Sequence, residues 1–419
     1  MDEFDHRVLG SRLDLFHQQE EGPGMVFWHP RGWTVYRLIE DHIRRYMRQA
    51  GFREVKTPQI LARDLWERSG HWEKFGENMF SLEDGERVFA IKPMSCPGHV
   101  AIFNSRLRSY RDLPIRYAEF GACHRNEPSG SLQGLMRGRA FTQDDAHVFC
   151  LEEHIEAEVA AFCRLLRRVY LDFGFGDFKV AFSTRPAMRA GDDALWDRAE
   201  EMLASAARME GCDYVLQPGE GAFYGPKLEF LLPDRKGRFW QCGTIQLDFV
   251  LPERLDAVFV DHENNRSRPV MLHHAVLGSI ERFCAMLLER WAGNLPLWLA
   301  PDQVMVASIQ AAQATYAQAV AETFDLAGLR VVSDLRAETL SRKIVQARED
   351  AIPVIAIIGA REAVDGTVAL RFRDGTQELL PVAAATAFLQ REAAMPSLSE
   401  SRPVAFNPPL SSPTVSMEA

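Results

Sequence analysis

The chain has 419 residues, 47% of them hydrophobic and 25% charged, with a net charge of −10. That balance fits a globular protein with room for two or three cores, and it excludes a general nucleic-acid coat and a disordered chain. No run of about 18 apolar residues is present, which excludes a typical membrane-spanning helix, and seven Cys without a CxxC pair exclude a disulfide framework and fit a reducing compartment.

The acidic amino terminus, Met1-Asp2-Glu3-Phe4-Asp5, is expected to be neither a signal nor a transit peptide. Residues 25–30 predict a short strand entering a turn. Val35, Leu38, Ile39, Ile43, Tyr46 and Met47 recur at helical spacing over 33–50, with Gly51 as the stop. Residues 51–58 predict a strand ending at Pro58. Between 88 and 249, short β-rich runs dominate (88–91, 115–120, 227–230, 239–249), with helices predicted over 152–173 and 194–209. This pattern predicts an α+β domain, a largely antiparallel sheet with helices packed on it. The Pro-rich stretch 296–301 marks a boundary. Beyond it, strands at 304–309, 329–332 and 353–359 alternate with helices at 312–327 and 341–351. A hairpin turns at Asp374-Gly375 between 367–372 and 378–380, and a last helix covers 382–394. The expected domains are thus 1–297, a smaller α/β unit at 298–395, and a disordered Pro- and Ser-rich tail at 396–419.

Five local motifs carry the chemistry. They are Met94-Ser95-Cys96-Pro97-Gly98-His99, Cys123-His124-Arg125-Asn126-Glu127, Asp144-Asp145-Ala146-His147, Met271-Leu272-His273-His274 and Gly278-Ser279-Ile280-Glu281-Arg282-Phe283. There is no GxxxxGK[ST] loop and no paired-glycine nucleotide fingerprint after a strand. A nucleotide held here would be bound by arginines on a sheet, whose guanidinium groups stay charged and offer bidentate hydrogen bonds. In this order the motifs resemble the active site of the threonyl-tRNA synthetases, which belong to the class II aminoacyl-tRNA synthetases. The resemblance runs from about residue 5 to 394.

It implies a class II catalytic domain followed by an anticodon-binding domain, a homodimer built on the 33–58 segment, and a cytoplasmic, tRNA-binding ligase. Its substrates would be ATP, threonine and tRNA(Thr), with Mg²⁺ on the phosphates. Arg125 would hold the α-phosphate and the substrate carboxylate, Glu127 the adenine edge, Arg137 the γ-phosphate and Arg282 the far side of ATP. Phe141 would stack on adenine, and Lys227 and Gln241 would complete the ATP site. Cys96, His147 and His273 match the family's three zinc ligands. Three protein ligands leave a position open, as at functional zinc sites, and in the family the amino group and hydroxyl of threonine bind there. Asp145 would accept the hydroxyl proton, while Met94, Gln143, Tyr224, Cys242 and Gln246 would form the rest of the threonine pocket. His71 would assist transfer to the tRNA ribose, and Glu362 and Arg371 would read anticodon bases.

Valine lacks the hydroxyl and should be rejected, whereas serine lacks only a methyl, worth about 10–200-fold. The family's amino-terminal editing region is expected to be absent, so serine errors would fall to a separate deacylase. Three positions depart from the family pattern. Ala337 stands where Asn is usual, Arg348-Glu349-Asp350-Ala351-Ile352 is acidic where a basic residue is common, and His274 stands in place of Arg. The first two bear on tRNA contacts. They leave open a specialised paralogue, such as an antibiotic-insensitive copy or an enzyme with another acceptor, and a non-catalytic RNA-binding homologue.

Overall fold

A computed structural model describes residues 2–398. Its centre is an eight-stranded sheet in the order Tyr214–Gln217, Lys179–Ser183, Lys227–Pro233, Phe239–Asp248, Val270–Ala275, Ala140–Cys150, Ile115–His124, Arg53–Glu54. The six inner strands pair antiparallel, and one parallel strand closes each edge. Successive strand residues point to opposite faces. One face, carrying Ala146, Val148 and Leu272, joins the main core with helices Ile155–Asp172 and Ile280–Arg290. The other face carries the polar residues described below and is closed at one end by helix Cys96–Asn104, whose Val100 and Phe103 pack on Tyr117, Phe149 and Met271.

The α+β expectation holds, with differences at element edges. The first long helix is Pro30–Gln49; Pro30 at its first turn starts it three residues before the periodic pattern does. Of the strand expected over 51–58, only Arg53–Glu54 pairs. A three-stranded sheet of Ile60–Ala62, Arg87–Ile91 and Ser81–Asp84 was only partly foreseen, because two of its strands are largely exposed and carry no apolar alternation.

The second unit is a five-stranded sheet in the order Val331–Asp334, Val304–Ser308, Val354–Ile358, Thr367–Phe372, Gln377–Pro381. The first three strands are parallel, and the last two form the expected hairpin, with Gly375 at φ +92° in its turn. The two units are stitched together by Arg373 Nη1, which donates to the Leu295 carbonyl (2.7 Å), and by Arg31 Nη2, which donates to the Asp350 carbonyl (2.6 Å). The expected disordered tail lies outside the described residues from 399 onward. Its first residues are ordered against the first unit, since the carbonyls of Pro396 and Ser397 accept from Arg45 and Arg168, and Leu398 packs on the main core. Among the described residues no helix is long and apolar enough to cross a membrane.

Candidate active site

Register assembles the site. Tyr117 pairs with His147, His147 with His273, His273 with Gln246, Gln246 with Lys227, and Lys227 with Ser183, so six residues from six strands form one row on one face. Along strand Ala140–Cys150, Phe141, Gln143, Asp145 and His147 are alternate residues and share that face. Strand Phe239–Asp248 carries an extra residue: Phe230 pairs with Gly243 but Leu231 with Gln241, so Cys242 is bulged out of the ladder. The bulge returns Gln241 to the side of Thr244 and Gln246, and Gln241 Nε2 donates to Thr244 Oγ1 (2.8 Å).

Cys96 opens its helix and is held over this row. The backbone N–H of Ser95 donates to Asp145 Oδ2 (3.1 Å), and Gly121 and Gly98 leave the room needed, since a Cβ at either would meet Ser95 Oγ at 2.5 Å or Thr57 at 2.8 Å. The result brings ligand atoms of Cys96, His147 and His273 within 4.8 Å of one another, all buried. The hydrogen bonds around the two imidazoles assign their protons. His273 Nε2 lies 2.8 Å from Asp248 Oδ2, so it carries the proton and leaves a lone pair on Nδ1. Asp248 is fixed by the N–H groups of Val250 and Leu251. His147 Nδ1 lies 2.7 Å from His99 Nδ1, and His99 Nε2 lies 3.2 Å from Glu119 Oε2. Glu119 also accepts from Lys92 and Thr57; burial alone would raise its pKa, but the bonds from His99, Lys92 and Thr57 hold it well below the usual carboxylate range. His99 therefore donates to Glu119 and accepts from His147, which leaves a lone pair on His147 Nε2.

That atom faces His273 Nδ1 at 3.0 Å. Two lone pairs pointed at each other repel unless a cation sits before them, and burial keeps His147 from supplying a proton, pushing its pKa far down. With Cys96 as the third donor, the set suits zinc, and Asp248 and His99 are the outer partners that orient zinc-binding imidazoles. Burial, then Asp145 and Asp248, raise the Cys96 thiol well above its ordinary range, a direction that a bound cation reverses.

Above the cluster lies a cleft of about 440 Å³. Met94, Asp145, Tyr224 and Gln246 line it together with His273, Cys242 lines it beside Gly278, and Gln143 adds a buried carbonyl oxygen without a partner. Burial raises the Asp145 carboxyl despite the nearby His99 and His273. The Tyr224 ring lies 5.4 Å from that of His273. At the other end Arg125 sits over the Phe141 ring (5.1 Å). Arg282 is anchored through Nε to the Met136 carbonyl (3.0 Å) and through Nη1 to the Gln241 carbonyl (2.7 Å), and burial lowers its pKa. Arg137 and Glu127, given separate duties above, are ion-paired with each other at 2.9 Å. Lys227 Nζ donates to Glu229 Oε1 (2.8 Å).

Four of the nominated residues lie outside the cleft lining, His147 among them, since it is fully buried in the cluster beneath. His71 is buried beside the cleft, with Nδ1 on Ser69 Oγ (2.7 Å) and Nε2 without a partner; burial, then His273, Arg125 and Arg254, pushes its pKa down to about 3. Glu362 and Arg371 belong to the second unit, where Glu362 accepts from the Gly359 N–H (2.8 Å) and caps helix Ala360–Asp365. His274 points away from His273 into the core, with its ring 5.0 Å from that of Phe52 and 4.7 Å from that of Phe162. Asp248, His99 and Glu119 were not foreseen as site residues. Asp248 stands two places after Gln246 on one strand, so alternation alone could have found it; the other two become visible only through the packing of the Cys96 helix.

The tRNA synthetase class II core domain (G, H, P, S and T) matches residues 79–291, and an anticodon-binding domain matches 303–392. The threonine–tRNA ligase of Caulobacter sp. (strain K31) is 57% identical over 403 residues, which are 96% of this chain and 61% of that protein. The ligase of Gluconacetobacter diazotrophicus is 55% identical, over 94% of this chain and 62% of its own length. The chain thus spans about three fifths of these relatives. The crystal structure of the RNA-binding domain of threonyl-tRNA synthetase from Cryptosporidium parvum Iowa II superposes with a TM-score of 0.92 at 42% identity, covering 94% of this chain and all of that one. The putative threonyl-tRNA synthetase from Aeropyrum pernix gives 0.82 at 29%, covering 94% of this chain and 98% of that one. The chain belongs to the class II aminoacyl-tRNA synthetases, in their threonyl-tRNA synthetase family.

Proposed function

We propose that the chain activates threonine with ATP to threonyl-adenylate and transfers it to tRNA(Thr). The observation that carries this reading is the pair of imidazole lone pairs which, with Cys96, converge at the floor of an arginine-bearing cleft. Adenylation brings two anions together, as the threonine carboxylate attacks the α-phosphorus and pyrophosphate leaves. Arg125 and Arg282 suit the charge that develops, and Arg282 is already fixed by two carbonyls, so little reorganisation is needed. ATP binding exchanges the Glu127–Arg137 pair for the adenine edge and the γ-phosphate, with Phe141 on the adenine face, Gln241 and Lys227 beside the nucleotide, and Mg²⁺ on the phosphates. Cys96, His147 and His273 would hold a zinc ion, which would supply Lewis-acid chemistry for the amino group and hydroxyl of threonine. Asp145 orients that hydroxyl, and Met94, Gln143, Tyr224, Cys242 and Gln246 enclose the side chain. His71, kept neutral by burial, has a free nitrogen suited to the ribose hydroxyl in the transfer step. Glu362 and Arg371 contact the anticodon, and the active form is a cytoplasmic homodimer.

Threonine-dependent ATP–pyrophosphate exchange, followed by charging of tRNA(Thr) with the same zinc-replete protein, tests this. Both activities are expected. Exchange without charging would replace tRNA by another acceptor, and no exchange would overturn adenylation. In the same assay serine should be activated with a kcat/KM roughly 10–200-fold below threonine, the worth of one methyl, and valine far more weakly. Valine activated as well as serine would remove the hydroxyl-reading pocket, and a serine rate equal to threonine would remove the contact to the methyl.

A further inference from the structure

A buried histidine outside the cleft lining touches the two elements that bear Arg137 and Arg282. Helix His6–Arg12 begins at His6, whose side chain is 2% exposed. Its Nδ1 lies 2.8 Å from Oε1 of Glu289, in the last turns of helix Ile280–Arg290, the helix that bears Arg282. Its Nε2 accepts from the backbone N–H of Leu135 (3.1 Å), in the 128–137 loop that bears Arg137. A backbone N–H can only donate, so Nε2 holds the lone pair and Nδ1 the proton that goes to Glu289. Gly134 makes the approach feasible: it sits at φ +52°, and a Cβ there would lie 2.3 Å from His6 Nε2. The neighbouring Met136 carbonyl is the one that anchors Arg282 Nε. Glu289, His6, Leu135, Met136 and Arg282 therefore form a closed circuit between helix and loop.

Asp5, His6 and Glu289 also bring three potential ligand atoms together. Arg7 takes both Asp5 oxygens (2.9 and 2.7 Å) and the two histidine nitrogens are already engaged, so the cluster is complete as a hydrogen-bond network.

We propose that His6 is a positioning residue for ATP: it clamps the 134–136 loop to the Arg282 helix, so that Arg137 and Arg282 are presented to the nucleotide in fixed relation. It touches neither substrate and acts through the Leu135 N–H. The proposal rests on the adenylating reading and adds the residue that organises its nucleotide half.

Two substitutions separate the two bonds. His6→Asn keeps a donor for Glu289 but loses the distant acceptor, whereas His6→Gln restores an acceptor at the reach of Nε2. In ATP–pyrophosphate exchange, His6→Asn should raise KM for ATP about fivefold, the scale of one lost hydrogen bond, with KM for threonine unchanged. His6→Gln should stay within about twofold of the parent. Amide hydrogen exchange at Leu135 gives a second readout that needs no activity: protection should fall in His6→Asn and persist in His6→Gln. An unchanged ATP KM and an unchanged Leu135 amide in His6→Asn would overturn the clamp, as would parallel loss of both KM values together with melting temperature in both variants. If the parent shows no exchange at all, the adenylating reading fails, and the Leu135 amide still decides whether the clamp exists.

Discussion

His273 and His274 are consecutive, yet strand alternation gives them opposite environments. His273 is held by Asp248 and faces His147, while His274 is wedged between Phe52 and Phe162 with an unpartnered Nδ1. Each makes a separate prediction. Asp248 fixes the His273 proton on Nε2, and such outer partners are typically worth about 10–100-fold in metal affinity. Asp248→Asn should weaken zinc binding on that scale in competition with a chromogenic chelator, and unchanged affinity would break the assignment of His273 as a ligand. For His274, burial, then His273 and Arg116, lowers the pKa from 6.5 to about 3. The folded state thus keeps it neutral where the unfolded chain takes up a proton. The penalty is absent above pH 6.5 and grows as pH falls towards 3, by up to about 1.4 kcal/mol per pH unit. Urea melts from pH 7 to 4 should therefore show His274→Gln losing stability less steeply than the parent. Parallel slopes would mean that His274 is protonated in the folded state.

At the scale of elements, the loop 218–226 has little freedom. Gln246 Nε2 donates to the Gly225 carbonyl (3.1 Å), and a Cβ on Gly225 would fall 1.6 Å from the Leu247 carbonyl oxygen. Gly225→Ala must push this loop off the strand and carry the adjacent Tyr224 away from His273. The expected cost is about 1–3 kcal/mol of stability and a KM for threonine raised more than that for ATP. Equal effects on both would show that the loop does not serve the amino-acid side. Elements of this kind set the limit of sequence reading. Helix 30–49 was legible because one period runs through it, the inner parallel strands of the second unit because they are short continuous apolar runs, and the local motifs placed fifteen of the nominated residues on the wall of one cleft. The bulge at Cys242 was not legible, since it is defined only by what Phe230 and Leu231 pair with across the strand. Nor was the Lys92–Glu119–His99 chain, whose members are ordinary in their own segments and gain meaning only once the Cys96 helix is packed.

On the scale of the whole molecule, the two units meet through the first long helix. Arg31 sits in its first turn and reaches three ways: Nη1 donates to the Leu13 carbonyl, Nη2 donates to the Asp350 carbonyl (both 2.6 Å), and Nε lies 2.8 Å from Asp302 Oδ2. The 348–352 segment is thus held to the first unit through the Asp350 carbonyl. Arg31 is remote from the cleft lining, so its loss should leave adenylation intact while loosening the angle at which the second unit is presented. Only a step that needs both units at once, a tRNA spanning anticodon and cleft, would register this. Charged hydrogen bonds of this kind are worth about 1.5–3 kcal/mol, and if half is felt in tRNA docking, Arg31→Ala should lower kcat/KM for charging about tenfold with pyrophosphate exchange unchanged. Exchange and charging falling together would place Arg31 in the stability of the catalytic unit. Charging that survives intact would mean that the remaining contacts, Arg373 on Leu295 among them, hold the two units in register without it.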